Sequence, residues 1–155
     1  MDVNIYTITS AKSPKRQSAR IIYTLETQTS KGPADVTREE RVEATANEAA
    51  LLAIIKALGH IKAPCVLHIY TESQFVASGI DWMAGWKESG WKTAKGKEVK
   101  NKDLWQQLDE LLQGHEAYIH CKEKHSFRKW MQTEISKKAV SYTHLRAHET
   151  GAYLV

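Results

Sequence analysis

Residue types and spacing first suggest chemistry between Trp86 and Leu112, where the chain reads WKESGWKTAKGKEVKNKDLWQQLDELL. Six lysines (Lys87, Lys92, Lys95, Lys97, Lys100 and Lys102) stand against two glutamates, Glu88 and Glu98, so residues 87–102 carry a net charge of +4. The whole chain, with 22 basic and 18 acidic residues, also carries +4. The remainder is therefore neutral, and a mild overall bias is in fact a concentrated patch. Lysine neutralises phosphate, and the tryptophans of the same stretch can pack on sugars or bases, so the mixture suits a polyanion with flat faces. A solvated lysine-rich loop would account for the charge alone, and rings that hold a small helical protrusion together would account for the tryptophans. Other chemical signals are thin. Cys65 and Cys121 lack metal-ligand spacing and read as small buried residues of a reducing compartment. His144 and His148 lie four apart, as helix-borne metal ligands can, but in a stretch with no amphipathic period.

The elements that must position these groups follow from periodicity. VNIYTITS (3–10) and RIIYTLETQT (20–29) are rich in β-branched and aromatic residues and read as strands. DVTREERVEA (35–44) reads as a third, charged strand, with the turn at KGP (31–33). The three form an antiparallel meander. NEAALLAIIKAL then places Leu51, Ile54, Ile55 and Leu58 at helical spacing, and Gly59 can end that helix. PCVLHIYTES (64–73) is a mostly apolar strand, consistent with burial on both faces. Ser73 can cap a second helix with Phe75, Val76, Ile80 and Met83 inward. A third helix carries Leu104, Leu108, Leu111 and Leu112; EAYIHCK (116–122) is a fifth strand; SFRKWMQTEISKKA is a last helix. The order β-β-β-α-β-α-α-β-α implies a mixed sheet with helices packed on it.

At 155 residues, with 42% hydrophobic and 26% charged residues, the chain has the make-up of a soluble globular protein of one domain. It has no apolar run near the ~20 residues that span a bilayer and no basic-then-apolar start, so a cytoplasmic monomer without a membrane partner is expected. The domain is assigned to residues 1–138. The stretch VSYTHLRAHET, within a tail at 139–155, resembles a translated sequencing adapter; a basic, histidine-containing tail is the alternative.

The element order, together with IYTITS in the first strand, YTESQFVASGI in the fourth and GWKESGWKTAKGKEVKNKDLWQQLD, resembles ribonuclease H of the bacterial type from about Val3 to Ile135. The resemblance implies an α/β fold, ribonuclease H-like, with a mixed five-stranded sheet, helices on both faces and a basic helical handle. It implies an RNA/DNA hybrid, or double-stranded nucleic acid, as partner. Trp82, Trp86, Trp91 and Trp105 match the rings of the family's handle. Trp86, Lys87, Trp91, Lys92, Lys95, Lys97, Lys100 and Lys102, with Asn47 and Gln74, become the expected nucleic-acid contacts.

The family's chemistry implies Mg²⁺. It cleaves the RNA strand with two ions held by four carboxylates, because ions about 4 Å apart repel unless dense negative charge holds them. Magnesium also demands oxygen ligands. Aligned on the family, the first-strand carboxylate falls on Ile8 and the helix carboxylate on Ala50. Glu48, two residues before Ala50, points about 200° around the helix; an acid near a helix amino terminus is favourable in any case. The fourth-strand carboxylate falls on Glu72, and the last-helix one on Thr133 or Glu134. His125 matches the family's loop histidine. The candidate catalytic residues are thus Glu72, Glu134, Glu48 and His125, with Glu72 and Glu134 the candidate metal ligands. The glycine-rich turn after the first strand is replaced by SAKSPKRQSAR, whose Lys12, Lys15, Arg16 and Arg20 would supply cruder phosphate contacts. Three functions stay open: a binding protein with weak or lost RNA hydrolysis, a Mg²⁺-dependent hybrid endoribonuclease with a rearranged site, and a protein-interaction module that keeps only the fold.

Overall fold

The computed structural model describes residues 1–137, so the expectations for the 139–155 tail, His144 and His148 included, lie outside the described residues. Strands β1 (Asp2–Thr9), β2 (Gln17–Thr29) and β3 (Gly32–Ala44) form the expected antiparallel meander. β3 resumes directly at Gly32, whose φ of +110° only glycine adopts without strain. Helix α1 (Ala46–Leu58) crosses to β4 (Val66–Thr71), which runs parallel to β1. α2 (Gln74–Glu88) and α3 (Lys102–Leu112) follow, then β5 (Glu116–Cys121), parallel to β4, and α4 (Arg128–Ile135). The sheet order is β3-β2-β1-β4-β5. Parallel neighbours need crossovers, and helices supply them here.

Strand alternation divides the sheet into two faces. Val3 and Ile5 of β1 and Leu67 and Ile69 of β4 pack with Leu51, Ile54 and Leu58 of α1 and with Trp105 and Leu108 of α3 in one core. Each fully buried Leu or Ile contributes about 1.5–3 kcal/mol relative to exposure. α1 starts at a capping box: the Thr45 hydroxyl accepts from the Glu48 N–H and the Glu48 carboxylate accepts from the Thr45 N–H. On the other face Tyr6 and Ile22 meet Met131 of α4. Both cysteines are free, Cys65 buried and Cys121 half-buried.

Two expectations are corrected. Arg20 is no phosphate contact. It is only 7% exposed, and its guanidinium donates to the carbonyls of Ile135 and of Lys137 (2.6 Å), fastening the end of α4 to the sheet. β4 is not buried on both faces: Leu67, Ile69 and Thr71 are buried, whereas Val66, His68 and Tyr70 are half-exposed. The helical pattern at the end of the chain predicts a longer cover than α4 provides. The helix is eight residues long and lies over β1 and β2, so among the described residues the outer face of β4 and β5 is only partly covered.

Candidate active-site cleft and lysine-rich arm

β1 and β4 run parallel, and their carboxyl ends open beside the amino ends of α1 and α2. A cleft of about 600 Å³ lies there, walled by Thr7, Ile8, Ser10, Ala50, Glu72 and Ser73. Ligands of open α/β sheets commonly bind at such strand ends. Glu72 directly follows β4 and precedes Ser73, whose hydroxyl accepts from the Val76 N–H and caps α2. Local backbone geometry thus carries Glu72 into the cleft. There its carboxylate is already engaged: Arg128 Nε donates to Oε2 at 3.0 Å and Nη2 to Oε1 at 2.9 Å. This is the fork-on-carboxylate geometry of the stronger ion pairs, and the bonds to Glu72 push the Arg128 guanidinium pKa further up.

The other sequence candidates do not converge on Glu72. Ile8 and Ala50 stand in the cleft wall as the alignment requires. The Glu48 carboxylate is held in the cap of α1 and lies 3.6 Å from Arg16; it lines a different hollow, shared with Lys100 and Lys102. Glu134 is buried (5% exposed) and accepts from Lys137 Nζ at 2.6 Å. Its neighbours Gln132 and Ile135 line the cleft, and Glu134 itself does not. Thr133 is exposed, its hydroxyl turned back to the Lys129 carbonyl. His125 stacks on Tyr6 with ring centroids 4.2 Å apart and accepts through Nδ1 from the Phe127 N–H. Burial lowers its pKa, opposed by the nearby Glu72 charge.

Among the described residues Glu72 is the one carboxylate that lines the cleft, and no three His, Cys, Asp or Glu side chains gather as a metal site. Two Mg²⁺ ions bring four positive charges and demand oxygen donors. A single carboxylate, paired with a guanidinium among neutral hydroxyl, amide and aliphatic side chains and one lysine, does not fit that pair of ions. Sequence reading missed Arg128, which lies 56 residues from its partner and carries no local signal.

The lysine-rich segment forms an arm from the end of α2 to the start of α3. An isolated bridge between Lys92 and Glu98 closes its tip. Rings build its base: Trp86 meets Trp105 at 5.3 Å and Trp91 at 6.4 Å, and Phe75 meets Trp105 at 5.5 Å. Trp105 is fully buried, and its Nε1 has no hydrogen-bond partner among the described residues. Trp91 takes a left-handed backbone (φ +64°), unusual for a bulky residue, held by the 2.6 Å bond from its N–H to the Trp86 carbonyl. Trp86 and Trp91 are thus half-buried in the ladder, and Trp82, 61% exposed, presents the open ring. Lys87 pairs with Asp109 (3.3 Å) and Lys102 with Glu98 (3.4 Å). Lys92, Lys95, Lys97 and Lys100 are exposed. Asn47 lines the cleft; Gln74 opens α2, exposed, its Nε2 donating to Ser78.

Comparison with known proteins places this geometry. A relative named Ribonuclease H from Cupriavidus necator is 49% identical over 83 residues, covering 53% of this chain and 57% of the relative. One of the same name from Alkalilimnicola ehrlichii is 51% identical over 83 residues, with the same coverage. The chain thus spans just over half the length of these curated relatives. Among solved structures, LC9-RNase H1, described as a type 1 RNase H with the type 2 active-site motif, superposes with a TM-score of 0.69 at 20% identity, over 98% of this chain and 73% of that one. The foamy viral protease-reverse transcriptase in complex with RNA/DNA hybrid superposes with a TM-score of 0.58 at 16% identity, over 93% of this chain and 20% of that one. These structures share the fold. The sequence model of the RNase H family matches residues 1–129, most of the 155-residue chain, and the protein therefore belongs to the RNase H family.

Proposed function

We propose that the chain binds RNA/DNA hybrid, or a related duplex, through its lysine-rich arm, and that its hydrolysis of the RNA strand is weak or lost. The observation that carries the second half is the bidentate pair of Arg128 with Glu72, at 3.0 and 2.9 Å. Among the described residues the cleft's one acid is balanced by a resident cation, and Ile8 and Ala50 offer no further charge. Support for the first half is the exposure of Lys92, Lys95, Lys97 and Lys100 on an arm held by packed rings. Each can neutralise a phosphate and release its counterion. Lys12 and Asn47 at the cleft extend the polar surface toward a strand lying across it. In that arrangement the arm positions the duplex and the cleft receives a backbone phosphate without activating water.

The name shared by the relatives favours a second reading, a Mg²⁺-dependent hybrid endoribonuclease. It would require Glu134 and Glu48 to leave their present partners for a rearranged site. One experiment separates the two: an RNA/DNA hybrid labelled on the RNA strand, assayed for binding and for Mg²⁺-dependent cleavage. Binding with negligible cleavage is expected. Turnover of order 1 s⁻¹ or more, abolished by Glu72→Gln, would establish the second reading.

A further inference from the structure

Four hydroxyls of the cleft are engaged as acceptors and not as donors. Thr9, Ser10, Thr71 and Ser73 bring them to its wall. Thr9 Oγ1 accepts from the Ala11 N–H (3.1 Å), Ser10 Oγ from that of Arg20 (2.8 Å), Thr71 Oγ1 from that of Ser73 (3.1 Å) and Ser73 Oγ from that of Val76 (3.2 Å). A hydroxyl also has one proton to give. Thr7 and Ser136 spend theirs on the carbonyls of Tyr70 and Thr133, but none of these four gives its proton to an acceptor among the described residues. Thr71 is only 2% exposed, so one of the unspent donors is buried in the wall.

Charge points the same way. Among the described residues Glu72 is the one acid and Lys12 the one base in the cleft wall. Both Glu72 oxygens accept from Arg128, which cancels the acid and leaves the charge of Lys12 over. Lys12 is exposed and has no ion pair among the described residues. The amino ends of α1 and α2, the positive poles of their dipoles, border the same space through Ala46, Asn47 and Ser73. Spare donors, a surplus positive charge and a neutralised acid make a place for an anion with several acceptor oxygens. Water would satisfy the hydroxyls singly and leave the charge unanswered. A phosphate answers both, since its free oxygens accept from hydroxyls and from lysine alike.

Resting on the duplex-binding reading above, we infer that the cleft is a phosphate site that works without a divalent ion. Lys12 and the hydroxyls of Ser10, Thr71 and Ser73 take a backbone phosphate, and Arg128 is a positioning residue that keeps Glu72 from repelling it. The test follows the backbone amide resonances of the full chain in EDTA as sodium phosphate is added. Sodium chloride at matched ionic strength is the reference, and thermal melts confirm folding. Saturable shifts at Ser10, Thr71 and Ser73 are expected with phosphate and not with chloride, and Mg²⁺ in place of EDTA should not tighten the binding. Arg128→Gln bares the Glu72 charge and should weaken phosphate binding at least about tenfold. Arg128→Gln with Glu72→Gln removes both charges and should recover most of it, a rescue that a merely structural role for Arg128 would not give. Lys12→Gln, in an exposed loop that does not threaten the fold, should also weaken binding. Added RNA/DNA hybrid should displace the phosphate, which marks a strand's backbone and not free phosphate as the occupant. The phosphate titration needs no hybrid, so it is read even where the lysine-rich arm proves not to bind one. No saturable response to phosphate, a response that requires Mg²⁺, binding indifferent to Lys12→Gln or Arg128→Gln, no rescue by Glu72→Gln, or phosphate retained beside bound hybrid would each overturn the proposal.

Discussion

A carboxylate gripped by both arms of a guanidinium fork offers a metal ion little, because the incoming charge must displace one already present. Glu72 is in that position, and its partner Arg128 does not come from the residues that the family alignment marks. Removing Arg128 alone should therefore free a carboxylate without creating a nuclease, since Ile8 and Ala50 still withhold two ligands. Arg128→Ala is expected to keep RNA-strand cleavage at background, whereas Arg128→Ala with Ile8→Asp and Ala50→Glu should gain Mg²⁺-dependent cleavage of a labelled hybrid. Cleavage restored by Arg128→Ala alone would show that other ligands are already in reach. His125 sets a second test, on stability. Burial lowers its pKa in the folded state, while the unfolded chain keeps a value near 6.5. Above about pH 6.5 the ring is neutral in both states and contributes no pH dependence; as pH falls below that, the unfolded state takes up the proton first and stability declines. His125→Asn should accordingly show a shallower fall in melting temperature between about pH 7 and pH 5 than the unaltered protein. The identities at Ile8, Ala50 and Glu72 were legible in the sequence. What Glu72 touches was not, because a bond across 56 residues leaves no periodic trace.

At the scale of elements, the sequence yields most where periodicity is strong. The meander, α1 and the leucine stripe of α3 follow from alternation and helical spacing, and the Ser73 cap from residue type; the Thr45 cap of α1 emerges only in the structure. The half-exposed outer face of β4 does not follow from them, because an apolar run reads the same whether one face or both are covered; among the described residues the length and placement of α4 leave it partly uncovered. Packing between α2 and α3 is equally hidden. Gly79 lies against the Trp105 ring so closely that an added Cβ would stand 2.2 Å from Cη2. The neighbour is a rigid ring that is 0% exposed, with no room to swing aside. Gly79→Ala should thus cost about 1–3 kcal/mol through overpacking, against a gain in helix propensity of about 1 kcal/mol at most. Chemical denaturation would show a lower midpoint with an unchanged slope. A neutral or stabilising result would mean that α2 and α3 can separate freely. The cap of α1 offers a milder comparison: Thr45→Ala removes the hydroxyl that accepts from the Glu48 N–H and should cost about 1 kcal/mol.

The whole molecule is an almost neutral body with a charged arm, and that asymmetry determines how it should respond to salt. The net +4 equals the charge of residues 87–102 alone. Structure refines the patch: Lys87 and Lys102 are partly answered by Asp109 and Glu98, which leaves Lys92, Lys95, Lys97 and Lys100 as the exposed set without an ion pair among the described residues. Each lysine that neutralises a phosphate adds about 0.9 to the slope of log K against log salt on a duplex. Changing Lys95, Lys97 and Lys100 together to glutamine should flatten that slope by up to about two to three units. The rings at the arm's base are untouched by this triple change, so folding and melting temperature should hold. Trp91→Ala would be a poorer probe, because its ring packs on Trp86 and its loss would disturb the arm as well as any contact. The measurement is equilibrium binding of a hybrid across a range of salt concentrations for the unaltered and triple-variant proteins. A flattened slope with intact folding ties the affinity to the arm's free charge. An unchanged slope would remove the arm from nucleic-acid binding and move the function toward protein interaction, with the fold serving only as its frame.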